Sequence, residues 1–92
     1  MTIQRLSEQT PDSGWLPVKG SSRLQVQVAP GARYVVEASL AEATPELEAD
    51  MKPFRAVEET GSGGLYDVSA YARVRVRLVG GPAVLLVLKE LA

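Results

Sequence analysis

Three arginines at alternate positions, Arg73, Arg75 and Arg77, form the one constellation in this 92-residue sequence whose spacing points to a task. On an extended strand, alternation puts all three guanidinium groups on one face, about 7 Å apart in succession. Like charges so placed repel one another unless carboxylates lie opposite. The stripe is therefore either a sheet face paired with cross-strand Glu or a basic surface that docks on an acidic protein neighbour. Nucleic acid fits less well, because no aromatics interleave with the arginines and no second basic strand accompanies them.

Other chemistries find little support. The sequence has no His and no Cys, which removes the commonest general base and excludes Cys–His, Ser–His–Asp and zinc sites. Glu46, Glu48 and Asp50 alternate and could offer oxygens to a calcium ion. They match no calcium loop, and they read as a solvated acidic segment. Gly61-Ser62-Gly63-Gly64 lacks the Lys-Ser/Thr of a phosphate loop and reads as a turn. Lys19, Ser21 and Ser22 are close in sequence, but their surroundings have ordinary turn composition. Trp15, Tyr34, Tyr66 and Tyr71 are spread over separate segments, so core packing with hydrogen-bonded polar tips suits them better than a sugar-stacking platform. The expectation is a protein that is not an enzyme, with no catalytic residue, no metal ligand and no cofactor.

The elements that must carry the stripe have a period of two. Residues 71–79 alternate through their middle, with the arginines on one face and Val74, Val76 and Leu78 on the other. Gly80-Gly81-Pro82 breaks this run, and residues 83–88 return as a continuous apolar strand; together they read as a hairpin. A strand apolar on both sides needs two covers. In a domain this small the second cover is either sheltering loops or another chain. Residues 23–28 alternate likewise, with Leu24, Val26 and Val28 inward. Ala29-Pro30-Gly31-Ala32 then turns the chain into the β-rich run 33–40, which reads as a second hairpin.

Weaker signals fill the rest. Residues 15–18 suggest a short strand that Pro17 pushes to a sheet edge. Thr44-Pro45-Glu46 could open a helix ending before Pro53. Residues 54–59 and 65–68 suggest further strands. The sum is an all-β chain, a small β-sandwich or jelly-roll-like barrel of about six to eight short antiparallel strands. Residues 14–92 form the single domain, and residues 1–13 read as an N-terminal arm whose apolar anchors, Ile3 and Leu6, could lie on a neighbour.

Ten basic and eleven acidic residues give a formal net charge of −1, which steers the protein to neither nucleic acid nor membrane. The signs are segregated: acids dominate residues 37–59, and bases dominate from residue 71 onward. Such asymmetry serves two faces of one molecule or head-to-tail contact between copies. A domain of this size buries only about 60–65% of its unfolded surface and has no disulfide to reinforce it. Association with a partner or with its own copies is the expected remedy. The first residues lack a signal-peptide core and no apolar run could span a bilayer as a helix, so a soluble, cytoplasmically made chain is expected.

The order of features also carries a resemblance. Gly14-Trp15-Leu16-Pro17-Val18 is followed by Val35-Val36-Glu37-Ala38-Ser39, the Gly61-Ser62-Gly63-Gly64 turn, the Arg/Val strand 73–78, Gly80-Gly81-Pro82-Ala83 and a final apolar strand. Over residues 14–88 this order resembles the small β-sandwich proteins of tailed-bacteriophage virions, which act as capsid decoration (cement) or tail-associated proteins. It departs from them in the acidic stretch 40–52, which leaves capsid and tail open as locations. The resemblance implies a structural protein of the virion, binding major capsid protein or other virion subunits and present in many copies. A carbohydrate-binding or adhesion module is the alternative. Arg73, Arg75 and Arg77, with Ile3 and Leu6, are the expected partner-binding residues.

Overall fold

Alternation of apolar residues along each strand requires a second apolar layer to bury them, and the chain supplies both layers itself. The computed structural model describes residues 1–39, 55–60 and 63–91. Among these residues eight strands follow in chain order: β1 (Thr2–Ser7), β2 (Leu16–Pro17), β3 (Ser22–Val28), β4 (Arg33–Ser39), β5 (Arg55–Thr60), β6 (Gly64–Asp67), β7 (Arg73–Gly80) and β8 (Ala83–Glu90). They form two four-stranded antiparallel sheets, ordered β1-β8-β3-β6 and β2-β7-β4-β5. The fold is an all-β sandwich, as the turn spacing implies. The helix considered at residues 44–52 lies outside the described residues.

The inward faces agree with the period-two reading. Leu24 and Val26 on β3 and Val74, Val76 and Leu78 on β7 join the core, and Val28 packs against it half-buried. They meet Leu6, Tyr34, Val36, Ala38, Val84, Leu86 and Leu88. Pro17 sits in the edge strand β2, where its missing N–H costs no ladder bond.

Neither expected hairpin forms. β3 pairs with β6 and β8, whereas β4 pairs with β5 and β7. β7 likewise lies in one sheet and β8 in the other. Residues 29–32 and 81–82 are thus arches that carry the chain from layer to layer. The two arches are stacked: the Ala29 N–H donates to the Ala83 carbonyl (3.1 Å), and Gly81 lies against Ala32. Gly81 has φ +89°, and a Cβ there would overlap the Ala32 Cα and stand 2.7 Å from its N. Turn composition permitted both connections, and this contact between arches selects the crossing one.

The segment expected as a free arm is also part of the sandwich. β1 pairs with β8 from Thr2↔Leu88 to Ser7↔Ala83, and Leu6 is 1% exposed, inside the core. Leu6 is therefore a core residue and does not lie on a neighbour. A single inward Leu among Thr2 and Gln4 gives too little alternation for the strand to stand out in the sequence.

Two outcomes follow for stability. Val76→Ala removes a fully buried side chain and should cost about 2–4 kcal/mol, read as a lowered midpoint in denaturant titration. Gly81→Ala should lower the melting temperature well beyond Gly31→Ala. Both glycines have positive φ, but the space around Gly31 is open. Equal losses would mean that dihedral strain alone, and not the contact between arches, matters at Gly81.

Candidate functional site

The two outer faces of the sandwich differ in what covers them. On the β2-β7-β4-β5 sheet, strict alternation in β7 points Arg73, Arg75 and Arg77 outward, and Glu37 on β4 stands directly opposite Arg75. Glu37 Oε1 accepts hydrogen bonds from Arg75 Nε (3.3 Å) and Nη2 (3.1 Å), and a short one from Arg77 Nε. Asp12 Oδ2 adds a longer contact to Arg75 at 3.9 Å. The Trp15 ring supports two guanidinium groups, Arg73 at 4.8 Å and Arg75 at 4.7 Å from its centroid. Only 5% of Glu37 is exposed, and Arg73 is buried too.

Three like charges are held together here by one shared carboxylate and one indole face. Each such cation–π contact contributes about 0.5–2 kcal/mol, more as water is excluded. A charge-assisted hydrogen bond contributes about 1.5–3 kcal/mol. Of the two readings of the stripe, a sheet face paired with cross-strand Glu or a surface docking an acidic neighbour, the first is the one these contacts match: its acid lies within the chain. Glu37 is the first residue of the acid-rich stretch; Glu42, Glu46, Glu48 and Asp50 lie outside the described residues. A cross-strand Glu was one of the two readings of the stripe, but alternation could not single out Glu37, and Trp15 carried no signal for this role, because the register that brings them to the arginines is long-range.

The β1-β8-β3-β6 sheet is different. Across its outer face the register sets Ile3 beside Val87, Val87 beside Gln25, and Gln25 beside Leu65. Ile3 is 58% and Leu65 69% exposed, and Val87 is half-buried. The next row is Arg5, Leu85 and Gln27, and it borders a shallow hollow of about 220 Å³ lined by Arg5, Gln27, Ala29, Ala83 and Leu85. A third row holds Lys89, Arg23 and Asp67, with Arg23 Nη1 3.0 Å from Asp67 Oδ1. Hydrogen bonds from the Ser69 N–H and hydroxyl, helped by Arg23, hold the Asp67 carboxyl below its usual value. Among the described residues Arg5 and Lys89 have no carboxylate partner.

β8 is thus a central strand with Val84, Leu86 and Leu88 buried inward and Leu85 and Val87 half-buried outward. The continuous apolar run pointed to this face. Leu65 carried no sequence signal, because only its register places it in the row. Of the expected partner-binding residues, Ile3 belongs to this surface, Leu6 to the core and the three arginines to the opposite face. Among the described residues the aromatics form no exposed platform: the hydroxyl of buried Tyr34 hydrogen-bonds that of Tyr66, Tyr71 packs on the core, and Trp15 lies under the arginines. Among the described residues no three carboxylates gather to hold a metal ion.

Comparison with protein families, with characterised proteins and with solved structures finds no match to this chain.

The internal pairing of the stripe sets one expectation. Arg75→Ala should cost about 1.5–3 kcal/mol, because it breaks hydrogen bonds to a buried carboxylate and uncovers one face of Trp15. Thermal melting and Trp fluorescence read both effects. An unchanged melting temperature would show that the arginine is held too loosely to matter for the fold.

Proposed function

We propose that this domain is a non-catalytic protein-binding module that docks through the outer face of the β1-β8-β3-β6 sheet. One observation carries the reading: a central strand turns Leu85 and Val87 outward, and the row through Val87 includes exposed Ile3 and Leu65. A strand facing water on one side ordinarily alternates apolar with polar residues, and β8 does not do so until Lys89. A contiguous apolar surface rimmed by polar residues marks a contact site. Arg5, Lys89 and the Arg23–Asp67 pair form that rim, which suits a partner with an apolar centre and an acidic border.

The sequence order suggests the setting, an accessory subunit of a tailed-phage virion, made in the host cytoplasm and clamping neighbouring capsid subunits. In that setting the partner is a shell protein and the copies are many. The tight layer of arginines on the opposite face supports the reading indirectly, because it leaves the β8 face as the surface free to bind.

Val87→Glu tests the docking face without touching the core, since Val87 points outward. A charge placed in the middle of an apolar contact should weaken binding by about 2 kcal/mol or more, roughly 30-fold. The parent is expected to co-sediment with assembled virion shells, and the variant to stay in solution at an unchanged melting temperature. A parent that never sediments with shells removes the virion setting. Equal sedimentation of parent and variant moves the contact to another face.

A further inference from the structure

The open edge of β1 has a geometry of its own. Among the described residues β1 lies at the margin of its sheet and pairs only with β8. The Ser7 N–H donates to the Thr10 carbonyl and the Thr10 N–H donates to the Ser7 carbonyl, both at 3.1 Å. The main-chain groups of Ser7 therefore face away from β8. Across the strand, Ala83, the residue opposite Ser7, likewise turns its carbonyl away, toward Ala29. In an antiparallel ladder the direction of these groups alternates along the strand. Thr2, Gln4 and Leu6 thus face β8, whereas Ile3 and Arg5 present their N–H and C=O groups to the open edge. Among the described residues no other hydrogen bond engages those groups.

Proteins usually blunt such an edge with Pro, a bulge or extreme shortness. The edge strand β2 of the other sheet has two residues, one of them Pro17. β1 has six residues and no proline. Its Arg5 is the single charge, and it projects from the outer face and leaves the edge groups accessible.

The geometry points to a two-fold dimer in which β1 pairs antiparallel with β1 of a second copy, the axis passing beside Gln4. This register satisfies every free group: Ile3 exchanges both hydrogen bonds with Arg5 of the second copy, and Arg5 does so with Ile3. Centring on Arg5 would stack like charges and would call on Ser7, whose groups Thr10 already holds. Centring on Ile3 would oppose Arg5 to Met1, which lies beyond β1. A slip of one residue would set edge-facing Ile3 or Arg5 against a residue whose groups face β8, and no hydrogen-bonded pair could form. In the Gln4 register the aliphatic stem of Arg5 lies along Ile3 of the other copy and covers part of its exposed side chain. The two sheets merge into one, and the rows through Val87 of one copy and Leu85 of the other become continuous. The dimer uses the edge of the sheet, so it stands or falls apart from the docking face.

Sedimentation over a concentration series should show the parent approaching twice the chain mass. Ile3→Pro and Arg5→Pro each remove an edge-facing N–H while sparing the bonds to β8, and both should sediment as monomers with melting temperatures near that of the parent. The sequence has no Cys, so Gln4→Cys introduces a single thiol. Beside the axis it sits in a non-hydrogen-bonded pair with Cα atoms about 4.5 Å apart, within disulfide reach. Mild oxidation should convert Gln4→Cys, and not Ile3→Cys, to a covalent dimer. Should a proline variant unfold, the thiol pair decides. A parent that stays monomeric overturns the proposal. So does a dimer that survives both proline changes, or cross-linking by Ile3→Cys while Gln4→Cys stays inert. A monomer that instead takes an extended segment of another protein onto β1 also overturns it.

Discussion

The contact of Gly81 with Gly31 and Ala32 is the constraint on which the rest of the sandwich depends. Where the backbones of the two arches touch, there is no room for a side chain. With that contact made, β3 and β4 enter different sheets, and so do β7 and β8. Each strand then finds its neighbours far along the chain. β4 takes β7 and β5, and β3 takes β8 and β6. Loop closure must precede every one of these pairings, so assembly is governed by non-local contacts and should be slow for a domain of this size.

That topology also explains what could be read from the residues and what could not. Alternation reports which side of a strand is apolar, so the inward sets Leu24, Val26 and Val74, Val76, Leu78 were legible. It is silent on which strand lies alongside. The Pro-Gly and Gly-Gly-Pro turns suit a hairpin and an arch alike, and only the meeting of the two arches in space separates them. β1 was illegible for a different reason: one inward Leu with polar neighbours has the composition of a tail, and its strand character comes from the open side of β8. The arginine stripe was legible as a face that a cross-strand Glu could pair, but that Glu37 is the acid and that Trp15 joins it were not, since register brings them there.

The arginine face shows how a chain of small net charge manages a local excess. Glu37 is buried and would be costly alone, and the arginines would repel one another alone. Together they offset each other's penalty, with Trp15 supplying a polarisable floor. The outcome is an electrostatic layer that stiffens β4 against β7, and the two faces divide the work. One is closed by internal charge pairing; the other keeps its apolar residues toward solvent.

The pairing of β1 with β8 has a bearing on how the protein is made. Thr2–Ser7 is made well before its strand neighbour among the described residues, which spans Ala83–Glu90. While the ribosome is still adding the intervening residues, Leu6 has no layer to enter and Ile3 no row to join. β3 waits for the same late strand on one of its sides. The nascent chain therefore carries unmatched apolar strands until the stretch ending near residue 90 clears the exit tunnel. For this fold the closing event is the arrival of β8, and a chain cut short before it would leave β1 with nowhere to go.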